Sequence, residues 1–127
     1  MFRIKKTLEV AVSHHLYLPY DSPCQRDHGH SLKITIYAVA DELNPQGMVI
    51  DFTEIKRIVH GQLDHRCLNE VKGLGWEHRE NCTVQKNPTA ERIAKWICMQ
   101  IDKCYRVDVQ ESTGNVATYT DDSVRRE

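Results

Sequence analysis

The 127-residue chain carries 40% hydrophobic and 28% charged residues, a net charge of −1 and an isoelectric point near 6.6. That length suits one domain, residues 1–127, with a real core. The balanced charge and the lack of any bilayer-length apolar run exclude nucleic acid and membrane as partners and leave a small molecule. Five cysteines, an odd number at irregular spacing (Cys24, Cys67, Cys82, Cys98, Cys104), with no apolar leader in Met1–Lys6, predict reduced thiols in an unprocessed, cytoplasmic protein.

From Phe2 to Val12 the even positions Phe2, Ile4, Leu8, Val10 and Val12 alternate with mostly polar odd ones, which predicts a half-buried strand. His14 continues the inward parity and His15 faces the other way. Pro19, Asp21, Ser22 and Pro23 mark a loop. The stretch Cys24-Gln25-Arg26-Asp27-His28-Gly29-His30 concentrates the reactive side chains of the chain. If it is extended, His28 and His30 project from one face at i and i+2, with no side chain between them. Two neutral imidazoles suit a cation such as Zn²⁺, and a third ligand would leave one coordination position open. Alone, His-Gly-His reads equally well as a polar turn. His14, on the inward row of the first strand, is the expected third ligand and tips the reading toward metal. The second strand is expected over His30–Ala40, with Leu32, Ile34, Ile36, Ala38 and Ala40 inward.

Asp41–Gly47 reads as a turn and Met48-Val49-Ile50 as a short strand. Asp51 is the expected N-cap of a helix, with Glu54 closing a capping box and Phe52, Ile55, Ile58, Val59 and Leu63 at helical spacing, ending near Gln62. Asp64-His65 follows, either a solvated helix terminus or a proton-transfer pair; position leaves both open. Val71–Lys86 shows no sustained period and is read as a long loop, in which His78 and Cys82 lack a partner motif. A second helix is expected from Asn87 as N-cap and Pro88 as first helical residue, with Ala90, Ala94, Ile97, Ile101 and Cys104 as its stripe and Cys98 and Cys104 as core thiols. Tyr105, Val107 and Val109 then alternate into a strand whose inward row ends in Glu111. A carboxylate there needs donors, which a ligand with several N–H groups would supply. Ser112–Asn115 turns into a last strand, Val116–Thr120, followed by a charged tail, Asp121–Glu127.

In order, Ser13-His14-His15-Leu16, Cys24-x-x-x-His28-Gly29-His30, Gly47-Met48-Val49-Ile50-Asp51-Phe52, Leu63-Asp64-His65-x-x-Leu68-Asn69, Asn87-Pro88-Thr89-Ala90-Glu91 and Gln110-Glu111 resemble the 6-pyruvoyltetrahydropterin synthase family over nearly the whole chain. The three-residue gap between Cys24 and His28 resembles its 6-carboxytetrahydropterin synthase branch, which serves 7-deazapurine (queuosine) biosynthesis. The resemblance implies an α+β tunnelling fold, an antiparallel four-stranded sheet with two helices packed on one face, closing edge to edge into trimeric barrels that stack as a homo-hexamer. It implies Zn²⁺ on His14, His28 and His30, Cys24 as catalytic thiol, Asp64 and His65 in proton transfer, and Glu111 on the pterin ring of a pterin triphosphate substrate. Lyase chemistry on 7,8-dihydroneopterin triphosphate is the implied activity. A pyruvoyl-type synthase or a side-chain-cleaving relative of folate synthesis is the alternative within the family. Outside enzymes, Cys24 with the three histidines would make a closed structural zinc site in an assembly module. Three positions depart from the pattern: Val10 replaces a frequent aromatic residue, Ala90 replaces a second threonine, and Gly73–Lys86 is long enough to be a lid or an interface element.

Overall fold

The computed structural model describes residues 1–124; the end of the expected charged tail lies outside them. Two 13-residue strands, β1 (Phe2–His14) and β2 (His28–Ala40), pair antiparallel along their whole length, from Phe2 opposite Ala40 to His14 opposite His28. The period of two sends Leu8, Val10, Val12 and His14 of β1, and Leu32, Ile34, Ile36 and Ala38 of β2, to one buried face. Strand β2 begins two residues before the expected start, so His28 belongs to the ladder.

After β2 the chain forms helix α1 (Phe52–Leu63) and a two-residue strand, β3 (Arg66–Cys67). A small hairpin follows, β4 (Trp76–Arg79) with β5 (Cys82–Gln85), and then helix α2 (Ala90–Gln100). Strands β6 (Cys104–Ser112) and β7 (Asn115–Thr120) complete the main sheet, whose order is β3-β1-β2-β6-β7. The expected four antiparallel strands are therefore joined by a fifth, β3, which runs parallel to β1. Its cause is local. His65 takes a left-handed backbone (φ 61°) and its N–H bonds the Ala11 carbonyl at 2.6 Å, so the chain leaving α1 is drawn against the free edge of β1.

Ile55, Val59 and Leu63 of α1, and Ile93, Ala94, Ile97 and Cys98 of α2, join one apolar cluster with the inward rows of β1, β2 and β6. Both helices thus cover the same face of the sheet. Each fully buried Leu, Ile or Val contributes about 1.5–3 kcal/mol and a helix cap about 1 kcal/mol, so packing rather than capping decides where the helices lie. Cys98 and Cys104 are buried in this core as expected, but Cys104 opens β6 and does not continue the stripe of α2. Among the described residues no helix is long and apolar enough to cross a membrane.

Four local expectations are corrected. Met48–Ile50 is not a strand, because the N–H of Met48 bonds Asn44 Oδ1, its carbonyl accepts from the N–H of Asn44, and the Val49 carbonyl accepts from Lys103 Nζ. The capping box does not close: Asp51 caps the Thr53 N–H at 2.8 Å, but the carboxylate of Glu54 is held by Arg57 at 2.9 and 2.6 Å. Val71–Lys86 contains the β4–β5 hairpin, whose four-residue strands bury no side chain and so leave no apolar period. Helix α2 starts at Ala90 with Thr89 as N-cap, because the carboxamide of Asn87 is committed to the backbone of Tyr17.

Candidate metal centre

Because His14 lies opposite His28, and Val12 opposite His30, the β1–β2 ladder delivers three imidazoles to the inward face at one end of the sheet. Their ring centroids are 4.5, 4.8 and 5.0 Å apart, and one ligand atom from each lies within 4.8 Å of the others. His14 is buried. Its Nδ1 sits 2.8 Å from the Pro88 carbonyl, and Nδ1 of His28 sits 2.7 Å from the Arg26 carbonyl. A carbonyl can only accept, so Nδ1 is the protonated nitrogen of each ring and the neutral ring presents its lone pair at Nε2. Nε2 of His30 is buried without a hydrogen-bond partner. Such an orphan costs about 1–3 kcal/mol, which a cation on the lone pair would offset. Burial holds the His14 imidazole below its ordinary titration range; the Pro88 hydrogen bond opposes this, and His28 and His30 reinforce it. A neutral ring is the form that ligates, and three convergent imidazole nitrogens suit a divalent metal ion.

Glu111 belongs to the same place. Its Oε1 is 3.8 Å from Nε2 of His30, and the residue lines a hollow of about 380 Å³ together with Leu16, Thr89, Ala90, Glu91 and Asn115. Cys24 lies in a single 3₁₀ turn, Pro23–Gln25, half-buried, with its carbonyl accepting from the N–H of Leu16 at 2.7 Å. Its sulfur stands outside the convergent donor group, which consists of three histidines and not the closed Cys-plus-three-His set of the structural alternative. Asp64 and His65 are not brought to the imidazoles within the chain. Asp64 accepts the N–H of Ala11 at 2.9 Å, and His65 is 82% exposed beside β3, facing a hollow lined by Ala11, Ser13 and Cys67. The Ala11 N–H, with smaller help from His65 and His60, holds the Asp64 carboxyl below the usual carboxylate range.

The sequence model described as 6-pyruvoyl tetrahydropterin synthase matches residues 3–122. The chain belongs to that family. Among curated relatives, it is 28% identical over 130 residues to the 6-carboxy-5,6,7,8-tetrahydropterin synthase of Bacillus subtilis, covering 93% of this chain and 84% of that protein. It is 44% identical over 111 residues to the putative 6-carboxy-5,6,7,8-tetrahydropterin synthase of Pyrococcus horikoshii, covering 74% and 69%. The 6-pyruvoyl tetrahydropterin synthase of Caenorhabditis elegans shares the fold, with a TM-score of 0.68 at 20% identity over 94% of this chain and 95% of that one. Within this member of the 6-pyruvoyl tetrahydropterin synthase family, sequence patterns missed His60. Its Nδ1 lies 3.8 Å from Oδ2 of Asp64, which is thereby flanked by two imidazoles; the available signal was the i, i+4 spacing on α1.

Proposed function

We propose that this chain, as a single catalytic domain over residues 1–127, is a zinc-dependent carbon–oxygen and carbon–carbon lyase. With one water as co-substrate, it converts 7,8-dihydroneopterin triphosphate to 6-carboxy-5,6,7,8-tetrahydropterin, acetaldehyde and triphosphate, a step toward 7-deazapurines. The observation that carries the reading is the partnerless Nε2 of His30, grouped with two imidazoles whose Nδ1 atoms are tied back, beside a carboxylate on the wall of a ligand-sized hollow.

In this reading His14, His28 and His30 hold the zinc through ring nitrogens. The bound ion supplies Lewis acidity to the substrate side chain and makes its carbon-bound protons easier to remove. Glu111 accepts the N–H edge of the pterin through charge-assisted hydrogen bonds and fixes which carbon faces the thiol. Cys24, as thiolate, takes the proton from that carbon. Asp64 and His65 complete the relay in a second copy of the chain, since within one copy they lie at the β3 edge of the sheet. The homo-oligomer that this requires is a hexamer of two trimers, closed through the open sheet edges.

The test is to incubate zinc-loaded protein with 7,8-dihydroneopterin triphosphate and identify every product. Acetaldehyde with 6-carboxytetrahydropterin is expected. A pyruvoyl product or a side-chain-cleaved pterin moves the chain to another branch of the family, and no product with zinc bound overturns the reading.

A further inference from the structure

We propose that Asn69 and Asn87 are positioning residues, a pair of carboxamide clamps that fix the His14–Tyr17 segment and, through it, the ring of His14 and the turn that carries Cys24. The inference rests on the metal reading above and goes beyond it.

Beyond His14, β1 has no further partner on β2, yet its backbone stays paired. The N–H of His15 donates to Asn69 Oδ1 and its carbonyl accepts from Asn69 Nδ2, both at 2.9 Å. Two residues on, Tyr17 does the same with Asn87, at 2.8 and 2.9 Å. A carboxamide has donors and an acceptor side by side, so it can give one residue what an antiparallel neighbour would. Leu16, between the clamped residues, donates its N–H to the Cys24 carbonyl at 2.7 Å. The short run is therefore held by side chains at His15 and Tyr17 and by the backbone of the Cys24 turn at Leu16.

Each clamp is tied to the metal centre. Asn87 directly precedes Pro88, whose carbonyl orients the His14 ring, so the bonds that fix Tyr17 also set the height of that carbonyl. Asn69 lies in the 3₁₀ turn Leu68–Glu70, anchored by the fully buried Leu68, and Gly75 packs against the Asn69 backbone so closely that an added Cβ would overlap it. The side chain of His15 links the segment to the residue that precedes β2: its Nδ1 lies 2.6 Å from Asp27, the neighbour of His28, and its Nε2 lies 3.0 Å from the Tyr17 hydroxyl. A merely stabilising role for the two asparagines would lower the melting temperature and leave the metal geometry alone.

The experiment compares Asn69→Ala, Asn87→Ala and the core control Val107→Ala at a temperature where circular dichroism shows all of them folded. Zinc affinity is measured by chelator competition, the Co²⁺ form by its d–d absorption, and the amide exchange of residues 15–17 in the metal-free protein by hydrogen–deuterium exchange. Asn87→Ala is expected to weaken zinc by about 10–100-fold and to shift the Co²⁺ spectrum, as loss of an outer-shell support does. Both asparagine variants are expected to speed exchange at Leu16, whose own partner is untouched, while Val107→Ala changes neither. Zinc affinity of Asn87→Ala within twofold of wild type, unaltered Leu16 exchange in either variant, or an equal zinc loss in Val107→Ala overturns the proposal. Should Asn87→Ala fail to fold, Asn87→Asp keeps the acceptor, removes the donor, and carries the same expectation. If wild type binds zinc without turning over the pterin, the proposed reaction falls and the variant comparison still decides the clamp. If wild type binds no zinc, Leu16 exchange decides it.

Discussion

The Nε2 of His30, buried without a hydrogen-bond partner, makes replacing this residue less costly than the usual loss of a buried side chain. In metal-free protein His30→Leu removes an unsatisfied buried polar atom, relieving about 1–3 kcal/mol. It also loses two edge-to-face contacts, with His14 and His28, worth about 0.5–1.5 kcal/mol each and so about 1–3 kcal/mol together on the scale of aromatic pairs. The two effects offset each other to within about 2 kcal/mol either way. At about 2.1 cal/mol/K of unfolding entropy per residue, 127 residues give about 0.27 kcal/mol/K, so 1 kcal/mol moves the midpoint by about 4 °C. Metal-free His30→Leu is thus expected to melt within about 7 °C of wild type. Zinc at a hundred times its dissociation constant adds about 2.7 kcal/mol, or about 10 °C, to wild type and next to nothing to the variant. Calorimetric melts at one fixed protein concentration, with chelator and then with zinc, supply all four midpoints. A metal-free variant melting more than about 8 °C below wild type, or one that keeps the full zinc shift, refutes the reasoning.

Cys24→Ala is expected to abolish turnover of 7,8-dihydroneopterin triphosphate while leaving the zinc-induced rise in midpoint intact, because the convergent donors are the three histidines; loss of zinc as well would make Cys24 a ligand. Asp64 ionises at a lower pH in the folded chain than the ordinary carboxylate value of about 3.9. Its contribution is therefore complete above that value and is lost as pH falls through the folded one, and Asp64→Asn is expected to lose stability less steeply than wild type in acid titrations below about pH 4. Gly75→Ala forces a methyl into the Asn69 backbone and is expected to cost at least about 1–3 kcal/mol in denaturant unfolding; a neutral result would mean that the two segments separate easily. Glu111→Gln is expected to raise KM for the pterin with zinc affinity little changed, as measured by steady-state kinetics and chelator competition.

Alternation alone was enough to place β1 and β2 and to send His14 and His30 inward, because both strands are long and have one buried face. The same alternation placed Glu111 at the end of an inward row, beside His30. Where backbone partners are not periodic, the pattern is silent. Strand β3 exists because an edge was free, the β4–β5 hairpin pairs strands that bury no side chain, and Asn87, a good N-cap on composition, is drawn to Tyr17 by a contact 70 residues away. Asp64 and His65 were legible as a pair. Their direction was not, since it depends on the left-handed turn at His65 and on the edge of β1.

Two of the three imidazoles face each other across a ladder, so the donor set exists in only one alignment of β1 on β2. A slip of one residue would turn His14 toward solvent while His28 and His30 stayed put, leaving a two-nitrogen site with little hold on a cation. An ion captured during folding would therefore act as a proofreader, retaining chains whose hairpin has closed correctly and letting mispaired ones reopen.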